Sequence, residues 1–422
     1  MLGNAGIPGA MTKLLPQHEH RAAPIEQTAR SLLLLISLAL FALCWVFAPT
    51  LARFFDIPTG TTLFRLAILD LPFSGLYFAY RGALHGHRQF RVLSGGYIVY
   101  SLTKLMGMVA LLALGISIAA ALIVNVLATI GALVYLGIKF PLRGWIPVVG
   151  LVPIILRLAL AMGAYLVTSQ ALLSLDLWLL KRLWHGPGEV IGLYVASLNV
   201  ARLPGLVPSV LSGILFASLS LALGRANIAL VQRYLQAAGR FTLVVLGPFC
   251  VVVAFHAESI MTLLYSNAYT GGGVFLRLQI MAFGLMAFMD IFFHALIANN
   301  KHYLPTSILL TLIPAAWLLN SILIPKFGAL GAAIALVLTL LGGTVTAMLL
   351  VYRWYGPLIR LSTVARVTAA TACMMLLGTQ IPLVGPWLLL EFIVLFGVYL
   401  LLLWLLKEIS WGDLQSFAIW QK

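Results

Sequence analysis

Long apolar runs with short polar connections constrain this chain more than any other feature. Each run is predicted to be helical, because lipid offers no partner for free backbone N–H and C=O groups. Runs of roughly 20 residues cross ~30 Å of hydrocarbon. We therefore predict about 12 membrane-spanning helices, at 31–51, 64–84, 92–114, 116–138, 152–180, 190–221, 241–265, 277–298, 303–324, 329–351, 364–383 and 386–406.

The charge content agrees with a membrane bundle. Charged residues make up 9% of the chain, against about 25% in soluble proteins. We interpret the formal net charge of +15 as membrane orientation and headgroup contact, and not as a nucleic-acid surface. With both termini in the cytoplasm, most Lys and Arg residues fall on the inner side. The outer side then holds Arg53, Arg65, Lys181, Arg182, Arg277 and Lys326.

One constant offset aligns two parts of the chain. It places Arg88 on Lys301 and Gly115 on Gly328, and it lays the four runs from 31–138 on the four from 241–351. Paired runs cross the membrane in the same direction. This predicts two parallel repeats related by an axis along the membrane normal, with a central cavity between them.

The predicted fold is therefore an all-α membrane helix bundle with two lobes. Residues 1–147 form a first lobe of four helices and residues 148–355 a second lobe of six. Residues 356–422 add two C-terminal helices and a cytoplasmic tail. Small residues at the start of the run at 329–351 predict close helix packing there.

Six ionisable side chains fall within or near the predicted spans. A charge in hydrocarbon is expensive, so each is a functional candidate by default. The bases would line a substrate cavity and neutralise a phosphate, which guanidinium binds in bidentate fashion. They are Lys104, Arg157 and Arg202.

The acids are predicted to carry a coupling proton or cation, or merely to pair with the bases. They are Asp70, Asp176 and Asp290. Asp176 lies close in sequence to Lys181 and Arg182, which favours a structural ion pair near the outer surface. Ordinary salt bridges between helices remain the alternative for all six side chains.

The sequence shows no motif that is typical of a metal site or of a catalytic site. Cys44, Cys250 and Cys373 all lie in apolar runs, and their odd number argues against a disulfide framework or a metal cluster. We find no nucleophile motif and no pair of acids at catalytic spacing. The expectation is a protein without cofactor or metal that is not an enzyme.

Three stretches resemble a known family when their order and spacing are taken together. They are Gly192–Pro204 with Asp176 upstream, Leu264-Tyr265 followed by Tyr269, and Ile324–Ala333. They are similar to polysaccharide flippases of the multidrug/oligosaccharidyl-lipid/polysaccharide exporter superfamily.

The resemblance implies a V-shaped, two-lobed transporter that works by alternating access. It would move an oligosaccharide on an undecaprenyl-type pyrophosphate across the bacterial inner membrane, from the inner to the outer leaflet. Polysaccharide polymerase or assembly proteins would be further partners, and nucleic acid would not.

The same resemblance bears on the start of the chain. The piece Gly6–Lys13 resembles the inner end of the family's second helix. Under the repeat offset, the partners of the runs at 152–180 and 190–221 would begin before Met1, so the chain would start inside the second of these helices. We therefore expect a first lobe that lacks two helices, through a misassigned start codon or a real deletion.

Two other functions stay open. A cation-coupled multidrug exporter of the same superfamily is disfavoured by three buried bases, which repel cationic drugs, and by the extra runs at 364–406. A membrane-embedded glycan ligase or acyltransferase would need a catalytic constellation and a sizeable outer loop. The sequence shows neither of these.

The Lys and Arg asymmetry predicts the topology of the chain. Reporter fusions after Arg91, Lys301 and Lys422 should report cytoplasm, and fusions near Pro58 and Lys326 should report the outer side. Alkaline phosphatase and green fluorescent protein fusions measure this directly. Reversed signals at any two positions would contradict the arrangement.

Overall fold

The computed structural model describes residues 6–17, 21–54, 60–87, 89–113, 115, 118–141, 144, 147–205, 215, 218–219, 222–223, 225, 227–299, 301, 303–379 and 387–408. Throughout these ranges the regular structure is helical, without any strand. Ten helices in the described part are long and apolar enough to cross a membrane. The predicted all-α membrane fold is thereby confirmed.

The first of two compact units spans Met1–Gln170. Its elements are α1 (Ile7–Gln17), α2 (Ala22–Phe54), α3 (Gly60–Ile68), α4 (Leu71–Gly86), α5 (Phe90–Ala113), α6 (Ile118–Lys139) and the first part of α7 (Val152–Leu183). One core cluster joins α1, α2, α4 and α7, through side chains such as Met11, Leu33, Ala83 and Ile155. A second joins α4, α5 and α6 around Leu84 and Leu136.

The predicted span at 64–84 is broken into two helices, α3 and α4. Asp70 is the N-cap residue of α4, and Pro72 lies in its first turn. Proline is tolerated there because the first N–H groups of a helix have no intrahelical acceptor. The break places the Asp70 carboxylate at a helix start inside an apolar segment.

The second unit spans Ala171–Lys422. It holds the rest of α7, followed by α8 (Gly188–Ala201), α9 (Ile228–Phe255), α10 (Ala257–Leu264), α11 (Gly273–Ala298), α12 (Tyr303–Phe327), α13 (Ala329–Tyr355), α14 (Leu361–Gly378) and α15 (Leu388–Leu405). The predicted span at 190–221 lies largely outside the described residues beyond Gly205. The lobe boundaries at 147 and 355 stay a prediction.

The predicted span at 241–265 differs from the structure at both ends. Helix α9 begins earlier, at Ile228, because the Asn227 side chain accepts a hydrogen bond from the Leu230 N–H at 3.0 Å. Such a cap satisfies one of the free N–H groups at a helix start. The helix ends at Phe255, and α10 follows directly after His256.

Close packing between α12 and α13 is confirmed. Gly328 joins them with φ +60°, a left-handed conformation that glycine adopts without steric cost. A Cβ added at Gly331 would lie 2.1 Å from the carbonyl oxygen of Leu323. Ala332 and Ala333 are fully buried in the same contact. Small side chains therefore let the two backbones approach each other, as in other membrane bundles.

The C-terminal helix pair, α14 and α15, packs on α9. Its core contains Val367 and Met374 of α14, Tyr399 and Leu403 of α15, and Val244 of α9. The Tyr399 hydroxyl donates a hydrogen bond to the Val244 carbonyl oxygen at 2.9 Å.

A buried carboxylate fastens one end of this pair. Glu408 is 3% exposed, and its two oxygens accept hydrogen bonds from Arg240 Nε at 3.0 Å and Arg366 Nη1 at 2.9 Å. The Thr363 hydroxyl donates a third, at 2.9 Å. Glu408 thus links the end of α15 to α9 and to the start of α14.

Replacing Glu408 with Gln should destabilise the second unit. The substitution removes the charge that holds two guanidinium groups, and we expect a loss of about 1–3 kcal/mol together with a lower melting temperature. Both arginines are more than a third exposed, so water compensates part of the interaction that their guanidinium groups lose with the carboxylate.

The matched control is Glu258→Gln. Its carboxylate also pairs with an arginine, Arg277 at 2.8 Å, but both side chains are about half exposed. Exposed pairs contribute about 0–1 kcal/mol. Thermal unfolding in detergent measures both variants, and equal melting temperatures would contradict the proposed fastening.

Candidate functional site

The first unit contains a polar cluster around Lys104, which we call the Lys104 cluster. Its members are Asp70, Tyr100, Lys104, Asn125 and Thr129. The Lys104 ammonium donates a hydrogen bond to Asn125 Oδ1 at 2.9 Å and lies 3.5 Å from the Tyr100 hydroxyl. The Tyr100 hydroxyl also donates to Asn125 Oδ1, at 3.0 Å.

Helical spacing explains how these residues meet. Tyr100 and Lys104 are four residues apart on α5, and Asn125 and Thr129 are four apart on α6. Residues at this spacing share one helix face. The ammonium also lies 5.6 Å from the centre of the Tyr100 ring. It therefore combines a hydrogen bond with a cation–π contact.

Asp70 completes the Lys104 cluster from the break between α3 and α4. Its carboxylate faces the Thr129 side chain and feels the charge of Lys104. The buried Oδ1 atom of Asp70 has no hydrogen-bond partner within the described residues. The cluster thus holds one ammonium and one carboxylate, with an acceptor site still open.

The second unit contains a separate network, the Asp176 cluster. Its members are Asp176, Tyr194, Ser197, Arg202 and Gln279. The Tyr194 hydroxyl donates to Asp176 Oδ2 at 2.5 Å. Ser197 donates to Gln279 Oε1 at 2.7 Å, and Gln279 Nε2 donates to the Tyr194 carbonyl oxygen at 3.3 Å.

The Asp176 cluster is almost closed to solvent. Asp176 is 2% exposed, and Tyr194, Ser197 and Gln279 are fully buried. Because an unpaired polar group inside a low-dielectric interior is costly, such groups normally find partners. Here each of the helices α7, α8 and α11 contributes at least one hydrogen-bonding side chain to the network. The Asp176 Oδ1 atom alone has no partner within the described part of the chain.

Arg202 lies at the edge of this network. It is the C-cap residue of α8 and is exposed. A cation at this position is favoured by the negative end of the helix dipole. Its charge acts on Asp176. The guanidinium is therefore electrostatically linked to the buried carboxylate while its own N–H groups stay accessible.

The structure brings four of the six predicted charges near enough, within their own units, for one to act electrostatically on another. Lys104 is linked to Asp70, and Asp176 to Arg202. Asp176 accepts a hydrogen bond from Tyr194, and its expected ion pair with Lys181 or Arg182 stays a prediction.

The other two predicted charges are not among the members of either cluster as defined above. Arg157 is exposed on α7. Asp290 is half-buried on α11, and its backbone carbonyl oxygen is 2.6 Å from His294 Nδ1. The predicted common cavity for Lys104, Arg157 and Arg202 stays a prediction.

Several polar partners were not predicted from the sequence. Tyr100, Tyr194 and Gln279 are uncharged or only weakly polar, so a search for charges in apolar runs passes over them. Their signal is a hydrogen-bonding side chain on the same helix face as a charge, or opposite to it. Within the described residues, no group of three or more His, Cys, Asp or Glu side chains could hold a metal ion.

Comparison with known protein families shows to which family this chain belongs. Residues 11–272 match the family described as polysaccharide biosynthesis protein. The chain belongs to this family. The match covers more than half of the sequence and includes the Lys104 cluster and most of the Asp176 cluster. No curated protein matches this member of the polysaccharide biosynthesis protein family.

Solved structures with a similar fold identify the fold of this family member. A lipid II flippase MurJ in an inward closed conformation matches with a TM-score of 0.77 at 16% identity, over 95% of this chain and 88% of that one. An inward-facing multidrug resistance MATE transporter of the MOP superfamily matches at 0.71 and 11% identity, over 84% and 87%.

A MOP superfamily transporter from Pyrococcus furiosus, whose reversed pocket polarity suggests a different function for it, matches at 0.61 and 12% identity, over 85% and 84%. This polysaccharide biosynthesis protein therefore has the fold of the MOP superfamily and is a multi-pass membrane protein. The family resemblance seen in the sequence is confirmed.

The Lys104 cluster gives a prediction about stability. Asn125→Leu removes the acceptor of the Lys104 ammonium and should cost about 1–3 kcal/mol, because a charged donor is left unsatisfied. Adding Lys104→Met removes the unsatisfied ammonium, so the loss in the double variant should be smaller than the sum of the two single losses. Thermal unfolding of the two single variants and the double variant measures this coupling, and purely additive losses would contradict it.

Proposed function

We propose that this protein moves a lipid-linked oligosaccharide or polysaccharide precursor across the bacterial inner membrane by alternating access. The carrier lipid would be an undecaprenyl-type pyrophosphate, and the glycan would pass from the inner to the outer leaflet. A polysaccharide polymerase or assembly protein would then receive it. The proposal rests above all on the intramembrane bases, in a chain that belongs to the polysaccharide biosynthesis protein family.

The charge of the substrate explains why bases are needed. A pyrophosphate carries negative charge that hydrocarbon cannot solvate, so its path has to supply positive charge. Guanidinium groups match phosphate oxygens with two parallel hydrogen bonds. Arg157 and Arg202 are both exposed, so their donors are accessible to a ligand. We assign pyrophosphate binding to these two side chains.

Lys104 has a different role in this proposal. Its ammonium is already engaged by Asn125 at 2.9 Å and is linked to Asp70. A cation in that position contributes a positive field to the substrate path without a direct contact. We therefore assign Lys104 to attraction of the pyrophosphate through space.

The acids of the two clusters are candidates for coupling. Asp70 and Asp176 each carry one buried carboxylate oxygen without a partner in the described structure, and each is linked to a base. Binding of a proton or cation to such an acid would strengthen the positive field of its neighbour. Asp290, which is half-buried on α11, is the third candidate.

A multidrug exporter is the second candidate, because MATE transporters share the fold. The same bases disfavour it, since exposed guanidinium groups repel cationic drugs. A drug-efflux assay in cells that lack their own exporters separates the two functions. Drug resistance without glycan transport would replace the proposed function.

Transport of a labelled lipid-linked oligosaccharide in reconstituted vesicles tests the proposal. Arg157→Ala and Arg202→Ala should each lower the rate about ten- to a hundredfold, because a lost charge-assisted contact costs on the order of 1.5–3 kcal/mol. The amount of protein in the vesicles should change less than the rate.

Arg353→Ala is the matched control. Arg353 is exposed in the last turn of α13 and is outside both clusters, so transport should stay near the wild-type rate. Wild-type rates in both Arg157→Ala and Arg202→Ala would exclude these residues from substrate binding. A wild-type protein that moves no lipid-linked glycan would overturn the proposed function itself.

A further inference from the structure

An arginine near the end of α4 has ring contacts but no ion pair within the described part of the chain. Arg81 is half-buried, and its guanidinium carbon lies 5.2 Å from the centre of the Phe78 ring and 5.0 Å from that of the Tyr97 ring. Phe78 is one helical turn before Arg81 on α4, and Tyr97 belongs to α5. Two cation–π contacts therefore hold the guanidinium where these helices meet.

The ring contacts leave the hydrogen-bond donors of Arg81 unused. A guanidinium group carries five N–H donors, and a ring face accepts its charge without accepting these hydrogen bonds in the way that an oxygen does. Arg81 makes no hydrogen bond with another described residue, and its buried Nε atom has no partner there. Unsatisfied donors in a low-dielectric surrounding are costly. The terminal Nη groups therefore suit a ligand with acceptor oxygens.

The helices around Arg81 carry almost no acid that could neutralise it. The sequence contains no Asp or Glu between Asp70 and Asp176, so α4, α5 and α6 are free of acids. Helices α1 and α2 also pack on α4, and their one acid, Glu26, contacts the imidazole of His87. The ligand that suits Arg81 is therefore an anion.

A second basic side chain lies beside Arg81. His85 follows it by one helical turn on α4 and is half-buried, with its ring centre 6.0 Å from that of Phe90. Residues four apart share one helix face, and the charge of Arg81 acts on His85. An imidazole offers one further N–H donor. Guanidinium binds phosphate through two parallel hydrogen bonds, so a phosphate group matches this combination of donors.

We propose that Arg81 and His85 form a binding site for the phosphate group of a lipid, with Phe78 and Tyr97 holding the guanidinium in place. Arg81 lies about 8 Å from the end of α4 along the helix axis, and the Lys and Arg asymmetry predicts that this end faces the cytoplasm. Lipid phosphates of the inner leaflet lie at this level. The phosphate belongs either to the polyprenyl pyrophosphate of the proposed substrate or to an anionic phospholipid.

Lipid binding to the purified protein tests the site. Protein in maltoside detergent, which contains no phosphate, is titrated with farnesyl pyrophosphate or with phosphatidylglycerol, and native mass spectrometry counts the bound molecules. The parent protein carries Arg157→Ala and Arg202→Ala, so the bases assigned to the substrate do not contribute. Arg81→Gln should weaken the binding of at least one probe about ten- to a hundredfold, because a charge-assisted contact is lost. Arg81→Lys keeps the charge without the planar pair of donors, so it should also bind more weakly, and it serves where the Gln variant fails to fold.

Arg91→Gln is the matched control. Arg91 is exposed at the start of α5, on the same predicted side of the membrane, and its loss should leave the affinity near that of the parent protein. Tyr97→Leu should weaken binding about two- to fivefold, because one cation–π contact is lost, and Tyr97→Phe should restore it. Tighter binding of farnesyl pyrophosphate assigns the site to the carrier lipid, and tighter binding of phosphatidylglycerol assigns it to a membrane phospholipid.

Two results would overturn the proposal. One is an affinity for both probes that is the same with and without the Arg81 guanidinium. The other is an equal loss in Arg91→Gln, which would show a general attraction by surface charge. Binding in this assay needs no transport. Tight binding by a protein that moves no glycan would leave this site in place and overturn only the proposed function, and the reverse result would overturn only the site.

Discussion

The desolvation of charge inside a low-dielectric bundle is the constraint on which the other features of this structure depend. Asp176 is 2% exposed, and its partners come from α7, α8 and α11. Removing the Tyr194 hydroxyl would leave that carboxylate without its short hydrogen bond. The same logic applies to Lys104, whose ammonium is held by α5 and α6. In both units the polar clusters therefore also specify which helices become neighbours.

Accessible charge and compensated charge have different uses in this protein. A compensated group such as Lys104 stabilises a helix contact, while an accessible guanidinium such as Arg202 is the kind of group that the proposed function assigns to the substrate. In the C-terminal helix pair the buried Glu408 carboxylate is compensated by Arg240 and Arg366. Guanidinium groups keep their charge over the whole accessible pH range, so this contact does not depend on pH through its bases.

The sequence predicted the positions of most helices but not their interruptions. Apolar length identifies α5, α6 and α13 to within a few residues, because each is a single uninterrupted run. The break at Asp70 was missed although Pro72 follows it, since proline is also tolerated inside membrane helices. The break at His256 was missed because its surroundings are apolar. The candidate charges were found because a charge stands out within an apolar run. Their partners Tyr100, Tyr194 and Gln279 carry no charge and do not stand out in this way.

By itself, the sequence determined that this protein lies in a lipid bilayer and that its structure is helical. So few charges over so many apolar runs can only be accommodated by helices in lipid, where each helix satisfies its own backbone. The tertiary structure alone decided which charge meets which partner. Lys104 and Asp70 are on different helices, as are Asp176 and Tyr194, and His256 and Glu391. Side-chain compensation acts over a few ångströms between helices far apart in sequence, and so only packing reveals it.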